Sequence, residues 1–231
     1  MGQLYLWINL LAIFFPFLLS FNKLGHFYKR WTILFKSIAI MWLFVVTWDI
    51  WFAYIGVWGF NPKYLIGVNI FHLPLEEWLF FLCIPYLFMF LYDQLVILKI
   101  SNYLKSLENS LDYGFIFIAA FFLVFGFPNL YTTFVSILVI LFTLLIKILK
   151  PQNKGIFYLS YFIILVPFVL INGILTGSLT DDPIVWYNNS ENLGVRFLTI
   201  PIEDFMYYFL MFEICYLSYE YIKKATQTSS P

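Results

Sequence analysis

Long apolar runs, separated by short polar segments, dominate this chain. About seven of these runs approach the roughly 20 residues that an α-helix needs to cross a lipid bilayer. The runs cover residues 4–21, 33–54, 73–95, 111–127, 130–148, 156–176 and 197–222. The pattern therefore predicts an all-α integral membrane protein, with about seven transmembrane helices in a single transmembrane domain over residues 1–231.

The composition agrees with a protein embedded in lipid. Hydrophobic residues make up 62% of the 231 positions and charged residues only 11%, and the mean hydropathy is +0.85. A soluble domain of this length would carry more charge. The formal net charge is zero, so nothing indicates a nucleic-acid partner. The two cysteines, Cys83 and Cys215, lie in apolar runs without metal-ligand spacing, and we expect no metal site.

The basic residues predict how the helices are oriented. Most of the 13 lysines and arginines follow odd-numbered helices or lie near the C-terminus. By the positive-inside rule these segments are cytoplasmic, so the N-terminus faces outwards and the C-terminus lies in the cytoplasm. We expect a multi-pass protein of the cell membrane, specifically of a bacterial inner membrane.

Two long connections lie on the predicted outer side, over residues 55–72 and 177–196. The first contains the sequence WGFNP at residues 58–62, and the second contains WYNN at residues 186–189. Loops of this length and composition are typical of lids over a site, and also of interfacial turns that are anchored by tryptophan. The sequence leaves both interpretations open.

An internal repeat appears when the sequence is shifted by 127 positions. The shift places LPLEEW at residues 73–78 over IPIEDF at residues 200–205, and LYD at residues 91–93 over SYE at residues 218–220. We interpret residues 1–98 as a first repeat, 99–128 as a connector with helix four, and 129–224 as a second repeat. An even number of helices separates each helix from its copy, which predicts a parallel 3+1+3 repeat. Residues 225–231 are predicted to be a disordered tail.

Each motif combines a proline with two adjacent acids at the start of a predicted helix. Proline fits the first helical turn, and we assign this structural role to Pro74 and Pro201. The acids could simply interact with the positive helix N-terminus. Alternatively, one acid of each pair faces the apolar bundle, where burial favours protonation and the group can donate a proton. The candidate catalytic acids are Glu76, Glu77, Glu203 and Asp204.

Further candidates lie near these motifs along the predicted helices. Asp49 lies near the outer end of the second helix, where an intramembrane acid is either functional or a structural hydrogen-bonding group. Aromatic residues follow the acids one helical turn deeper. Asp93 and Glu220, at the cytoplasmic ends, are expected to be solvated charges. The candidates for substrate binding and cation stabilisation are Phe80, Phe81, Tyr207, Tyr208, Trp51 and Asn172.

Taken together, the paired PxE(E/D) helices, the WGFNP loop, and WYN followed by IPIED resemble the membrane-embedded lycopene cyclases. In some bacteria this family is split into two small subunits, and in fungi it is fused to phytoene synthase; here both halves lie in one chain. The resemblance covers nearly the whole chain. It implies cyclisation of the linear ψ ends of lycopene to β rings, with the lipophilic carotenoid reaching the protein from the bilayer.

This activity is an isomerisation that needs a proton donor, a base and a dry cavity, which buried carboxyl groups and aromatic faces supply. We expect no cofactor, since the chain has no GxGxxG spacing for a dinucleotide. A retinal-binding opsin would need a lysine midway along the seventh helix, and none is present there. The remaining alternative is a small proton-coupled transporter or a carotenoid-binding membrane protein that uses the same carboxyl groups.

Overall fold

The computed structural model describes residues 2–23, 25–100 and 102–228, and seven α-helices lie within these ranges. The helices are α1 (Leu4–Leu19), α2 (Trp31–Ile55), α3 (Leu75–Ile97), α4 (Glu108–Gly126), α5 (Leu130–Leu149), α6 (Lys154–Leu175) and α7 (Ile202–Thr228). The prediction of an all-α fold with about seven helices is confirmed, because each apolar run coincides with one helix.

Five segments of the described chain are long and apolar enough to cross a membrane. These are Phe27–Ile55, Leu75–Ile97, Lys105–Gly126, Leu130–Leu149 and Lys154–Leu175. Helix α1 is apolar but shorter, with 16 residues, or about 24 Å at 1.5 Å per residue. Helix α7 is long enough but more polar, because it carries four buried acids. The protein is a multi-pass membrane protein, and the crossing of α1 and α7 stays a prediction.

The core of the bundle lies between α3 and α7. Helix α1 packs against α3 and α5 packs against α7, while α2 contacts α7 and α6 contacts α3. At the centre the rings of Phe88 and Phe212 stack in parallel, with their centroids 4.0 Å apart. Helix α4 packs mainly against α5 and also contacts α6, and the ring of its Phe115 stacks on Phe209 of α7 with the centroids 3.7 Å apart. The helices that carry the two acidic motifs are therefore the most enclosed part of the molecule.

The two long loops cover one end of the bundle and pair with each other. Strand β1 (Trp58–Phe60) in the first loop lies antiparallel to β4 (Val185–Tyr187) in the second. Gly59 lies opposite Trp186, and a Cβ atom at residue 59 would collide with the indole ring. A larger residue at position 59 would therefore force the indole ring of Trp186 to shift, and glycine allows this close approach. The paired loops form one cover, which we call the lid.

A short hairpin leads from each loop into its acidic helix. Strands β2 (Asn69–Ile70) and β3 (Leu73–Pro74) precede α3, and strands β5 (Arg196–Phe197) and β6 (Ile200–Pro201) precede α7. The expectation that Pro74 and Pro201 lie in the first helical turn is wrong, because both have strand pairing. Pro74 has an extended backbone, with φ −64° and ψ 150°. Proline lacks an N–H group, so it tolerates this edge position and ends the strand where the helix begins.

The C-terminal segment also differs from the expectation. Residues 225–228 continue α7 and are helical, although their polar composition predicts disorder. They extend a helix that is already held by the bundle, so adding residues to it costs less than starting a new helix. Residues 229–231 of the predicted tail lie outside the described residues.

Asp93 and Glu220 are buried at the opposite end of the bundle, so the expectation of solvated charges is wrong. The Tyr92 hydroxyl donates to Glu220 Oε1 over 2.8 Å, and the Tyr219 hydroxyl donates to Asp93 Oδ1 over 2.9 Å. Arg30 pairs with Asp93 at 2.6 Å. The tyrosine of each repeat thus binds the acid of the other, and the two hydrogen bonds join α3 to α7 at this end of the bundle. We call this arrangement the crossed clamp.

Tyr92→Phe and Tyr219→Phe should each destabilise the protein by about 1 to 3 kcal/mol, because each removes the donor to a buried carboxylate. Thermal unfolding in detergent measures this effect. Tyr221→Phe is the matched control on the same helix, since the Tyr221 side chain is 73% exposed. Equal melting temperatures for Tyr219→Phe and Tyr221→Phe would show that the crossed clamp contributes nothing to stability.

The orientation in the membrane stays a prediction from the basic residues. A reporter that functions only in the cytoplasm should be active when it is fused after Pro231. A reporter that functions only outside the cytoplasm should be active at the N-terminus. The opposite result would place the lid on the cytoplasmic side. Activity measurements with reporters that function on only one side of the membrane decide between the two orientations.

Candidate active site

The first acid of each motif binds the loop that precedes its helix. Glu76 is the second residue of α3, and its Oε1 accepts the backbone N–H of Ile66 over 2.6 Å. Glu203 occupies the same place in α7, and its Oε1 accepts the N–H of Leu193 over 2.6 Å. Each acceptor lies ten residues after its donor. These two acids therefore hold the loops in place at the helix N-termini, where negative charge is favoured.

The second acid of each motif points into the bundle, because consecutive helical residues diverge by about 100°. Oε2 of Glu77 accepts the Tyr5 hydroxyl over 2.5 Å, and Oδ1 of Asp204 accepts the Tyr131 hydroxyl over 2.6 Å. Tyr5 and Tyr131 are the second residues of α1 and α5, the equivalent helices of the two halves. The structure thus places one acid of each motif at the loop and the other inside.

Asp204 has two further donors. The side-chain amide of Asn172 donates to Asp204 Oδ2 over 2.6 Å, and the Tyr187 hydroxyl donates to the same oxygen over 3.0 Å. Tyr187 belongs to the lid, outside the helices. Burial, followed by the neighbouring Asp204 carboxyl, raises the pKa of Tyr187 well above its ordinary value of 10.0, so its hydroxyl remains a donor. Three donors from three different elements therefore converge on one carboxyl group.

Asp49 of α2 faces the same region and is only 3% exposed. Within the described residues its Oδ2 has no hydrogen-bond partner, and neither do the hydroxyl groups of Tyr207 and Tyr208. Buried polar atoms without partners are costly and uncommon in folded proteins. The Tyr207 hydroxyl lies near enough to the Asp49 carboxyl to interact with it, so these side chains can bind one another or whatever occupies the space between them.

These groups surround one small cavity beneath the lid, with a volume of about 30 Å³, which is room for about one water molecule. Three carboxyl groups, from Asp49, Glu77 and Asp204, reach it from three different helices. The full lining consists of Tyr5, Asp49, Trp58, Phe60, Glu77, Phe80, Tyr131, Asn172, Leu175, Val185, Tyr187, Asp204, Tyr207 and Tyr208. We call this cavity the acid pocket.

Aromatic rings make up most of the remaining wall of the acid pocket. The rings of Tyr131 and Tyr187 stack with their centroids 6.0 Å apart, and Trp58 meets Tyr131 edge-on at 5.2 Å. Phe80 meets Tyr208 edge-on at 5.8 Å. Aromatic faces attract a cation, especially in a site without bulk water. The acid pocket therefore combines carboxyl groups with surfaces that stabilise positive charge.

Some candidates from the sequence lie outside the acid pocket. Trp51 is 42% exposed and contacts Phe52 and Phe134. It lies two residues after Asp49, about 200° around the helix, so it faces away. Phe81 is buried behind the lining, against Phe80. Glu76 and Glu203 do not line the cavity, whereas Phe80, Asn172, Tyr207 and Tyr208 do.

Tyr5, Tyr131, Tyr187 and Trp58 line the pocket but are not among the candidates predicted from the sequence. A signal for Tyr5 and Tyr131 is present, since LY at residues 4–5 matches LY at residues 130–131. The match needs a shift of 126 positions instead of 127, so a comparison without gaps hides it. Trp58 belongs to the WGFNP loop, but only the pairing of the two loops turns it towards the pocket.

A protein-family model described as lycopene cyclase matches the chain twice, over residues 2–95 and 128–222. This chain belongs to the lycopene cyclase family. Each matched region contains one acidic motif, so the resemblance and the internal repeat are both confirmed, while the exact repeat boundaries and the 3+1+3 topology stay predictions. Lycopene cyclase family membership supports a carotenoid cyclase, a membrane enzyme of carotenoid biosynthesis. No curated protein and no solved structure matches the chain.

Proposed function

We propose that this chain cyclises the linear ψ ends of lycopene to β rings by a proton-initiated reaction without net redox change. The observation that carries the proposal is the convergence of Asp49, Glu77 and Asp204, from α2, α3 and α7, on one aromatic cavity inside a membrane bundle. A buried cluster of ionisable groups in a membrane protein is expensive and usually functional. Family membership supplies the class of substrate.

The proposed reaction has three steps, which are protonation, ring closure and deprotonation. A carboxylic acid adds its proton to the terminal double bond, which leaves a tertiary carbocation and a carboxylate. A neighbouring double bond of the chain attacks the cation and closes the six-membered ring. A second carboxylate then removes a different proton, which forms the ring double bond. The substrate and product are isomers, and returning the proton to the first carboxylate restores the protein.

Asp204 is best suited to act as the base. Its carboxylate accepts hydrogen bonds from Tyr131, Asn172 and Tyr187. Hydrogen bonds to an ionised acceptor are stronger than those between neutral groups, so this arrangement favours the charged form. A fixed carboxylate also stabilises the transient carbocation before it accepts the proton.

Glu77 and Asp49 are the candidates for the proton donor. Glu77 accepts one hydrogen bond, from Tyr5, while Oδ2 of Asp49 has no partner in the described part of the chain. Two neighbouring carboxylates in an apolar cavity repel each other, so the pair holds a shared proton more readily than two full charges. We assign the donated proton to this pair as a unit.

The aromatic lining completes the site. Phe80, Trp58 and the two unpartnered tyrosines, Tyr207 and Tyr208, present rings to the cavity. Each ring that faces the cation contributes about 0.5 to 2 kcal/mol. A cavity of about 30 Å³ does not hold a terminal isoprene unit. The lid or the lining side chains must therefore move apart when a carotenoid end group enters from the bilayer.

Purified protein in lipid should convert added lycopene to cyclic carotene without an added nicotinamide or flavin. The product is separated by chromatography and identified by its absorption spectrum. Ring closure twists the ring double bond out of the plane of the conjugated chain, so the absorption maximum moves to shorter wavelength. Boiled protein is the control. Unchanged lycopene that remains bound to the protein would contradict the cyclase and favour a carotenoid-binding protein.

A further inference from the structure

We infer that Tyr187 passes the proton removed by Asp204 into a second, water-filled cavity beside the lid, through which the proton leaves the protein. This inference rests on the proposed function and adds the route that protons take between turnovers. Each ring closure leaves a substrate-derived proton on the base. Exchange of this proton with solvent requires a polar path between the enclosed acid pocket and the surface.

A larger cavity lies next to the acid pocket, between the lid and the hairpin that precedes α7. Its volume is about 280 Å³, which is room for several water molecules. Its lining includes Thr176, Val185, Tyr187, Arg196, Leu198 and Thr199. Leu198 is 69% exposed, so this cavity reaches the surface of the protein. We call it the outer cavity.

The wall between the two cavities contains one side chain that can carry a proton. Tyr187 and Val185 belong to the lining of both cavities. Of these two side chains, only Tyr187 has a polar atom. Its hydroxyl donates to Oδ2 of Asp204 over 3.0 Å. Tyr187 therefore connects the base directly with the wall of the outer cavity.

A chain of hydroxyl groups begins in the outer cavity and ends at the surface. Oγ1 of Thr176 lies 2.7 Å from Oγ1 of Thr199, which lies 2.7 Å from Oγ of Ser178. Thr176 is only 6% exposed, whereas Ser178 is exposed. A hydroxyl group both donates and accepts hydrogen bonds, so such a chain can order water and transfer protons.

Arg196 keeps the outer cavity polar. Its Nη1 donates to the carbonyl of Thr199 over 2.7 Å, and its Nη2 donates to Oδ1 of Asn189 over 2.8 Å. The guanidinium carbon lies 5.8 Å from the centroid of the Tyr187 ring. A cavity lined by a charged group and hydroxyl groups binds water, whereas an apolar cavity of the same size would stay dry.

The first half also has a cavity beside the lid, but its shared wall offers no path for a proton. This cavity shares Phe60 with the acid pocket, and phenylalanine neither donates nor accepts a hydrogen bond. The shift of 127 places Phe60 at the position of Tyr187, and Trp51 at the position of Ser178. The polar route is therefore specific to the second half, which carries the proposed base.

The transfer is balanced and leaves Tyr187 unchanged. Protonated Asp204 gives its proton to the Tyr187 oxygen, while the original O–H bond of Tyr187 breaks and that proton passes to water in the outer cavity. Burial, followed by the neighbouring Asp204 carboxyl, raises the pKa of Tyr187 well above its ordinary value, so the phenol is protonated before and after the transfer. A solvent proton enters by the reverse steps and returns from Asp204 to the donor pair.

Counting deuterium over successive turnovers tests this route. Protein equilibrated in heavy water receives an excess of lycopene, and mass spectrometry of the product gives the deuterium per ring. Wild-type protein should introduce one deuterium per ring in every turnover. Tyr187→Phe, and the double variant Thr176→Val with Thr199→Val, should do so only in the first turnover. In later turnovers the deuterium per ring should fall by about twofold or more, because the substrate-derived proton returns to the donor pair without exchange.

Ala53→Val is the matched control, since it adds apolar surface to the cavity of the first half. It should keep one deuterium per ring. One deuterium per ring in every turnover of either test variant would overturn the route, while leaving the cyclase function intact. Unchanged lycopene with wild-type protein would instead show that the proposed function fails.

The water in the outer cavity can be tested without any catalysis. Thr176→Cys should react with iodoacetamide at least about tenfold faster than the buried Cys83 and Cys215, because a thiolate forms readily only where water solvates it. Mass spectrometry of the peptides measures all three reactions. Equally slow reaction of all three thiols would show that the outer cavity is dry, and this result would overturn the inference even for an active cyclase.

Discussion

Replacing Glu77 by glutamine, or Asp204 by asparagine, should lower the rate of lycopene cyclisation by about 10²- to 10⁴-fold. Each amide keeps the shape of the side chain and an oxygen that accepts a hydrogen bond from Tyr5 or Tyr131. Neither amide can donate a carboxylic proton or act as a carboxylate base. The loss is therefore chemical, and the folded protein should elute normally in detergent. Initial rates with purified protein in lipid measure it.

The matched controls lie next to these residues in the same motifs. Glu76→Gln and Glu203→Gln remove the neighbouring carboxylates, but an amide oxygen still accepts the N–H of Ile66 or Leu193. Both variants should keep cyclisation within about tenfold of wild type, with a lower melting temperature, because a hydrogen bond to a neutral acceptor is weaker. If the controls lose as much activity as the inward-facing variants, the division between loop-binding and reacting acids is wrong.

In heavy water, the cyclic product should retain one solvent-derived deuterium for each ring formed. The donor pair exchanges its proton with solvent between turnovers and then transfers deuterium to the terminal double bond of the substrate. The proton that leaves at the end comes from a different carbon atom, so the label survives. Mass spectrometry of the product, compared with the same reaction in ordinary water, measures the number of deuterium atoms.

The same mechanism predicts how the rate depends on pH. The donor must be protonated, so the rate should fall as pH rises and the donor pair ionises. Tyr5→Phe removes the hydroxyl that stabilises ionised Glu77, so it should shift this fall towards higher pH. A ring formed in heavy water without deuterium would show that Asp49 and Glu77 do not transfer solvent protons.

The hydrophobic pattern was sufficient to predict the class of fold. The length of an apolar run is a local property of the sequence, and the thickness of the bilayer sets the length that a spanning helix needs. The seven runs became seven helices, with ends displaced by a few residues where prolines stand in short strands. Burial of Asp93 and Glu220 could not be predicted in this way. It depends on Tyr92 and Tyr219 from the opposite repeat, which lie far away in sequence.

The acidic motifs were visible in the sequence because they occur twice with the same spacing. Their helical spacing also indicated that the two acids of each pair would point in different directions. The spacing could not indicate which acid points inwards, since this depends on which acid the preceding loop contacts. The N–H groups of Ile66 and Leu193 bind the first acids, and this leaves the second acids inside.

By itself, then, the sequence determined a helical membrane protein, its duplication and the residues from which a site could be built. These features follow from composition and short-range spacing. Only the tertiary structure decided that the two halves share one pocket. Glu77 of the first half and Asp204 of the second line the same cavity, and the loops above it are joined by the Asn61 N–H, which donates to the carbonyl of Ile184 over 2.8 Å. Such contacts arise when helices pack against one another, and no local pattern in the chain contains them.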